Sequence, residues 1–273
     1  MTATTITAEL PRSRTRPGFI PRLVTAEFLK LRKRRGLVLT TLLLTVVPMI
    51  VAYVILTIIH AANPAKHGPA GGVVNFTDSL NLLGDLSVVA AILVGATVGT
   101  GDLGAGVFRE LVVTGRSRLA LFAARVPAGL GLLISVVTAA FAVTATAATV
   151  LAGSLQAPST TLIAHSLGWL VLTASASFLL ALGVSSVVGS RATSIGVLFG
   201  WSIIASPLVL QIGSLGFLRE GVLRGATQRF EPTAILGENP QVPMSLGVAA
   251  AVVLAWTIVS LGIGAWGTAT RDA

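Results

Sequence analysis

Residues 36–60 read GLVLTTLLLTVVPMIVAYVILTIIH and hold no Asp, Glu, Lys or Arg. Crossing the hydrocarbon of a bilayer takes about 20 mostly apolar residues in a helix. This run is long enough, and Lys30-Leu31-Arg32-Lys33-Arg34-Arg35 stands directly before it. The apolar part of a cleaved leader is only about 7–15 residues, so the run reads as a retained anchor. Five further stretches qualify as spans: 82–101, Val126–Gly153, His165–Gly189, Ala192–Phe217 and Met244–Gly267. The second is the shortest. It runs from about Leu86 to Gly101 and needs Leu80, Leu82 and Leu83 to lengthen it. The expected fold is an all-α membrane protein with six transmembrane helices.

Composition agrees. Of 273 residues, 53% are hydrophobic and 11% charged, and the mean hydropathy is +0.88. Soluble domains carry about 25% charged residues, so this chain has too little polar surface to cover a globule in water. It has no cysteine, which excludes disulfides, thiolate catalysis and Cys-ligated metals. The net charge is +9, yet nine of the nineteen Lys and Arg fall in the first 35 residues, beside a span. That is the distribution of an anchor facing anionic lipid, not of a nucleic-acid-binding domain. Arg outnumbers Lys sixteen to three, a compositional pointer to a GC-rich bacterial genome and no more.

Basic residues also set the expected orientation. With the N-terminus inside, segments 1–35, 102–125, 190–191 and 268–273 are cytoplasmic and hold 15 of the Lys and Arg. The outer segments hold four: Lys66, Arg219, Arg224 and Arg229. Both termini are expected in the cytoplasm.

Residues 1–18 are rich in Thr, Arg and Pro and read as a disordered basic tail. In residues 19–35, Ile20, Val24, Phe28 and Leu31 recur at helical spacing, with Leu23 beside them. A helix of this kind lies in the membrane interface, apolar side in lipid, with Arg22, Lys30, Arg32 and Lys33 toward the headgroups. Leu29 falls on the polar side. The bland alternative is that the basic run serves only as a topology signal.

The loop after span two is GDLGAGVFRELVVTGRSR, residues 101–118. Asp102 can cap a helix start, Phe108, Leu111 and Val112 share a face, and Gly115 is a plausible stop. Ser117 can cap a second helix running through Leu119, Leu121 and Phe122 into span three. A short helix with apolar knobs and flanking charges suits docking into a groove on another protein. Periodicity alone leaves a solvated connector equally open.

These features together resemble the ABC type-2 transporter permease family, in particular small bacterial permeases with a separate ATPase. Ala26-Glu27-Phe28-Leu29-Lys30-Leu31-Arg32 resembles that family's amphipathic entry helix. Gly106, Arg109, Leu111, Ser117, Arg118 and Arg125 stand where the family has its loosely patterned residues around a coupling helix. The resemblance implies a dimer of permeases and a nucleotide-binding subunit that holds ATP and Mg. Its cleft would receive Phe108 and Leu111 as apolar contacts and Arg109, Glu110, Arg116 and Arg118 as complementary charges. Cargo would be a drug, antibiotic, lipid or peptide moving outward. Rival readings are a secondary transporter or channel without an ATPase, and a membrane assembly protein.

Other motifs carry less. Gly99-Thr100-Gly101-Asp102-Leu103-Gly104 spells GxGxxG but closes a span, not a strand–helix turn. No GxxxxGK[ST] occurs, and none of Lys30, Lys33 and Lys66 follows a glycine. The pairs Gly95–Gly99 and Gly196–Gly200 are expected to pack helices within the chain. Pro48 and Pro207 are expected to kink spans one and five. His60, His67 and His165 have no partner at metal-ligand spacing. The carboxylates fall at or outside span ends, which argues against ion-coupled transport; Asp85 is the best candidate exception. The outer segment Gly216–Pro243 is expected to form short helices that cap the exit, a further implication of the resemblance.

Overall fold

The computed structural model describes residues 19–104, 117–236 and 242–270. Among these the secondary structure is entirely helical. Helices α1 (Phe19–Lys33), α2 (Arg35–Ala62), α3 (Val73–Gly104), α4 (Arg118–Val150) and α5 (Thr160–Val188) come first. Helix α6 (Arg191–Gln211) is interrupted by a π segment at Gly200–Ala205. A 3₁₀ turn at Gly213–Gly221, α7 (Leu223–Gln228), α8 (Thr233–Leu236) and α9 (Leu246–Thr270) complete the order. Six of these helices, α2 to α6 and α9, are long and apolar enough to cross a membrane.

The centre of the bundle is α3 against α5, and glycine brings them together. A Cβ on Gly95 would stand 2.8 Å from Phe178 O, and one on Gly99 would overlap Ser185 Oγ. Ser185 Oγ itself donates to Gly95 O at 3.3 Å, linking the two backbones. Helix α9 approaches α5 in the same way, with Gly183 against the Ser260 carbonyl and a Cβ on Gly264 3.0 Å from Gly183 Cα. Phe76 and Phe141 meet edge to face at 6.2 Å, and both are buried. Buried hydroxyls such as Thr41, Thr144 and Thr268 donate to the carbonyl four residues back, which satisfies them without a second helix.

Local signals account for several helix ends. Ser117 Oγ accepts from Ala120 N at 3.0 Å and starts α4, as its sequence position suggests. Ser159 caps α5 through Leu162 N. Gly189 ends α5 at φ +72°, a left-handed conformation that favours glycine, and Ser190 then caps α6. At one end of the bundle Gly71 N and Gly72 N donate to Leu151 O and Ala148 O. At the opposite end Arg118 Nη1 donates to Ala269 O at 3.0 Å.

Four expectations need correction. Helix α3 starts at Val73, so it is one of the longest helices, and Asp85 lies well inside it. Asn75 explains the early start: its Nδ2 donates to the carbonyls of Pro69, Ala70 and Gly71, fastening the preceding loop to the first turn. Helix α3 also runs on through Gly104, so Asp102 lies within its last turn, and the helix it was expected to start lies outside the described residues. Leu23 and Leu31 of α1 are buried, and Phe28 lies over Gly131 of α4, so these residues of its apolar face pack on protein, while Leu29 is exposed. Finally, Gly196 and Gly200 face open space, so this pair packs nothing within the described chain.

Candidate functional site

Helix α3 presents Asn81, Asp85, Val88 and Ile92 on one face, at spacings of four, three and four. Helix α5 presents Trp169, Thr173, Ser177 and Leu180 the same way. Between these faces and α6 is a cavity of about 340 Å³. Gly84 opens it: the Trp169 ring lies 2.8 Å from where a Cβ on Gly84 would stand.

The third wall is the π segment, which contributes Trp201 and Ser202, followed by Ser206. Its cause is legible in Pro207. Proline has no N–H to offer the carbonyl four residues back, and its ring crowds that carbonyl. The chain answers with a wider turn, and such π segments recur at functional sites. Pro207 thus shifts the register of α6 just before it. Pro48 lies within an α2 that runs unbroken from Arg35 to Ala62.

The segment at 213–236, between α6 and α9, closes the cavity. Arg224 Nη2 is 3.0 Å from Asp85 Oδ1, which clasps α7 onto α3. Trp256 Nε1 donates to Gly221 O, Arg219 Nη1 to Leu210 O and Arg229 Nε to Met244 O, each at 2.9–3.1 Å. These bonds hold the segment between α6 and α9 in place. Its last contribution is Glu231, only 8% exposed. Burial pushes this carboxyl up to about 7; the Arg224 guanidinium pulls it down and the Asp85 carboxylate raises it again.

The cavity is amphipathic along its length. Asn81, Asp85, Arg224 and Glu231 gather at one end, while Val88, Ile92 and Leu180 line deeper parts. Three buried polar atoms of its lining residues have no protein partner: Trp169 Nε1, Thr173 Oγ1 and Ser206 Oγ.

Of the residues expected from sequence to form an ATPase-coupling surface, Phe108, Arg109, Glu110, Leu111 and Arg116 lie outside the described residues. Arg118 is described, in the first turn of α4 and bonded to the end of α9. In α1, Glu27 pairs with Lys30 at 3.5 Å and Arg32 is exposed. Arg125, beside the same bundle end, is buried at 3% exposure. Sequence reasoning singled out Asp85 but missed Trp169, Trp201 and Glu231. The available signal was the recurrence of Trp169, Thr173 and Ser177 every fourth residue in an otherwise apolar span.

The fold and its cavity define a multi-pass helical membrane protein with a solute-sized chamber. A family model described as ABC-2 family transporter protein matches residues 23–205. That is more than half of the chain, and the chain belongs to this family. The matched stretch ends at the π segment, so Arg224 and Glu231 lie beyond it. No curated protein matches the chain.

Proposed function

We propose that this chain is the membrane-spanning subunit of an ATP-driven exporter for a hydrophobic or amphipathic cargo, with the ATPase on a separate polypeptide. Membership of the ABC-2 family carries the reading. The sequence supports it from the other side, because it has no GxxxxGK[ST] loop with which to hold a nucleotide's phosphates. ATP and Mg belong to the partner on this reading. A second permease, identical or homologous, completes the path.

The arrangement is a bacterial cytoplasmic membrane protein with both termini inside, as the excess of Lys and Arg on that side supports. Helix α1 then lies along the cytoplasmic surface, and residues 102–118 form the lever that the ATPase grips. Packed interfaces repack between discrete arrangements, which is how a gripped helix transmits rigid-body motion to spans. The outer segment caps the exit.

Co-purification tests the reading. The full chain is expected to bring down a nucleotide-binding subunit, and Phe108→Asp or Leu111→Asp to release it. Retention of the ATPase, with transport intact, in both variants would move the coupling element elsewhere. An α2–α9 chain that moves cargo alone would favour the secondary-transporter reading.

A further inference from the structure

Two carboxylates and one guanidinium meet at the polar end of the cavity. Arg224 is paired with Asp85 at 3.0 Å, so the guanidinium that acts on Glu231 is already engaged. When Glu231 is ionised, the trio carries one excess negative charge, with Glu231 buried and Asp85 largely exposed. Trp169 and Trp201 line the same space, and indoles attract cations through their ring faces. Trp169 and Thr173 are 7% exposed and Ser206 1%, so these residues form a close-packed part of the wall.

We propose that this cavity binds an amphipathic organic cation. Its charge lies between Glu231 and the two indoles, and its apolar body rests on Val88, Ile92 and Leu180. This names a cargo class for the exporter and rests on that reading only in calling the ligand cargo; binding needs no ATPase.

The charge at Glu231 makes binding depend on pH. Asp85 from α3 and Arg224 from α7 are the charged groups that act on it, while Arg229, two residues before it, turns to Met244 O. With the carboxyl titrating at about 7, roughly a tenth of it is ionised at about pH 6 and nine-tenths at about pH 8. If only the ionised form pairs with the cation, apparent affinity rises about tenfold over that range.

The test uses the full chain in nanodiscs of zwitterionic lipid, with binding to empty nanodiscs subtracted. The probe is tetraphenylphosphonium, and tetraphenylborate serves as an anion of the same shape. Saturable binding of one phosphonium per chain is expected, tighter at the higher pH, with no matching site for the borate. Glu231→Gln should abolish the pH dependence and weaken binding more than about tenfold at about pH 8. Trp201→Leu should weaken it several-fold without moving the pH midpoint. Equal binding of both ions, no saturable phosphonium binding, or an unchanged titration in a monodisperse Glu231→Gln variant would overturn the proposal. Since no ATPase is present, failure here is distinct from failure of the exporter reading.

Discussion

Arg224 and Asp85 stand 139 positions apart in sequence, yet Arg224 Nη2 lies 3.0 Å from Asp85 Oδ1. The pair joins the segment between α6 and α9 to the central helix of the bundle. Asp85 is 64% exposed at its side chain, so the attraction is screened and contributes little stability by itself. Its greater consequence is electrostatic, because both partners act on the buried carboxyl of Glu231.

Removing either partner should therefore move Glu231 in opposite directions. Arg224→Gln withdraws a cation that lowers its pKa, so the midpoint rises. Asp85→Asn withdraws an anion that raises it, so the midpoint falls. The pH midpoint of phosphonium binding, or the infrared band of the protonated carboxyl, reads both shifts. Movement in one common direction would contradict the geometry.

Glu231 also imposes a pH dependence on stability. Its carboxyl titrates at about 7 in the folded chain against an ordinary 4.5. Between those values the folded state holds a proton that the unfolded state has released, so stability falls as pH rises. The loss is complete above the folded value and absent below the ordinary one. Glu231→Gln, which stays neutral, should melt higher than the parent at about pH 8 and level with it near about pH 4. Scanning fluorimetry of the tryptophans in detergent measures the difference.

The glycines separate into two groups. Gly183 stands against the Ser260 carbonyl, so Gly183→Ala must push α9 from α5 and should cost about 1–3 kcal/mol or more. Gly196 and Gly200 meet nothing within 4 Å, and Gly196→Ala and Gly200→Ala should leave the thermal midpoint of the monomeric chain unchanged. Thermal midpoints by size-exclusion after heating give the comparison.

Much of the architecture was legible because lipid demands it: long uncharged runs such as residues 36–60 admit few other folds. Ser117 and Gly189 also marked helix ends by their own chemistry. The start of α3 was not legible, since Asn75, Asp78 and Asn81 read as loop until Asn75 is seen to bind the carbonyls before it. The cavity was harder still. Trp169, Trp201 and Glu231 belong to three separate segments, and only the packing of α3 on α5 and the register shift before Pro207 bring them together. Asp85 hinted at the site, but its partner Arg224 lay in the polar segment Gly216–Pro243, 139 positions away.

Arg118 ties the start of α4 to the end of α9. It donates to Ala269 O, so Arg118→Ala should cost about 1 kcal/mol of stability and, as part of the proposed coupling surface, weaken ATPase association as well. Phe108→Asp should keep the thermal midpoint while losing the ATPase. Paired pull-down and melting measurements distinguish the two.

The most direct measurement of the central claim is reconstitution. The chain is co-purified from its host with any nucleotide-binding subunit and placed in liposomes, with and without that subunit. Uptake of tetraphenylphosphonium into inside-out vesicles is then followed on adding ATP. The expected result is uptake that needs the subunit and hydrolysable ATP, and none from the chain alone. Equal uptake by the chain alone, or none with the complete pair and ATP, would contradict the account.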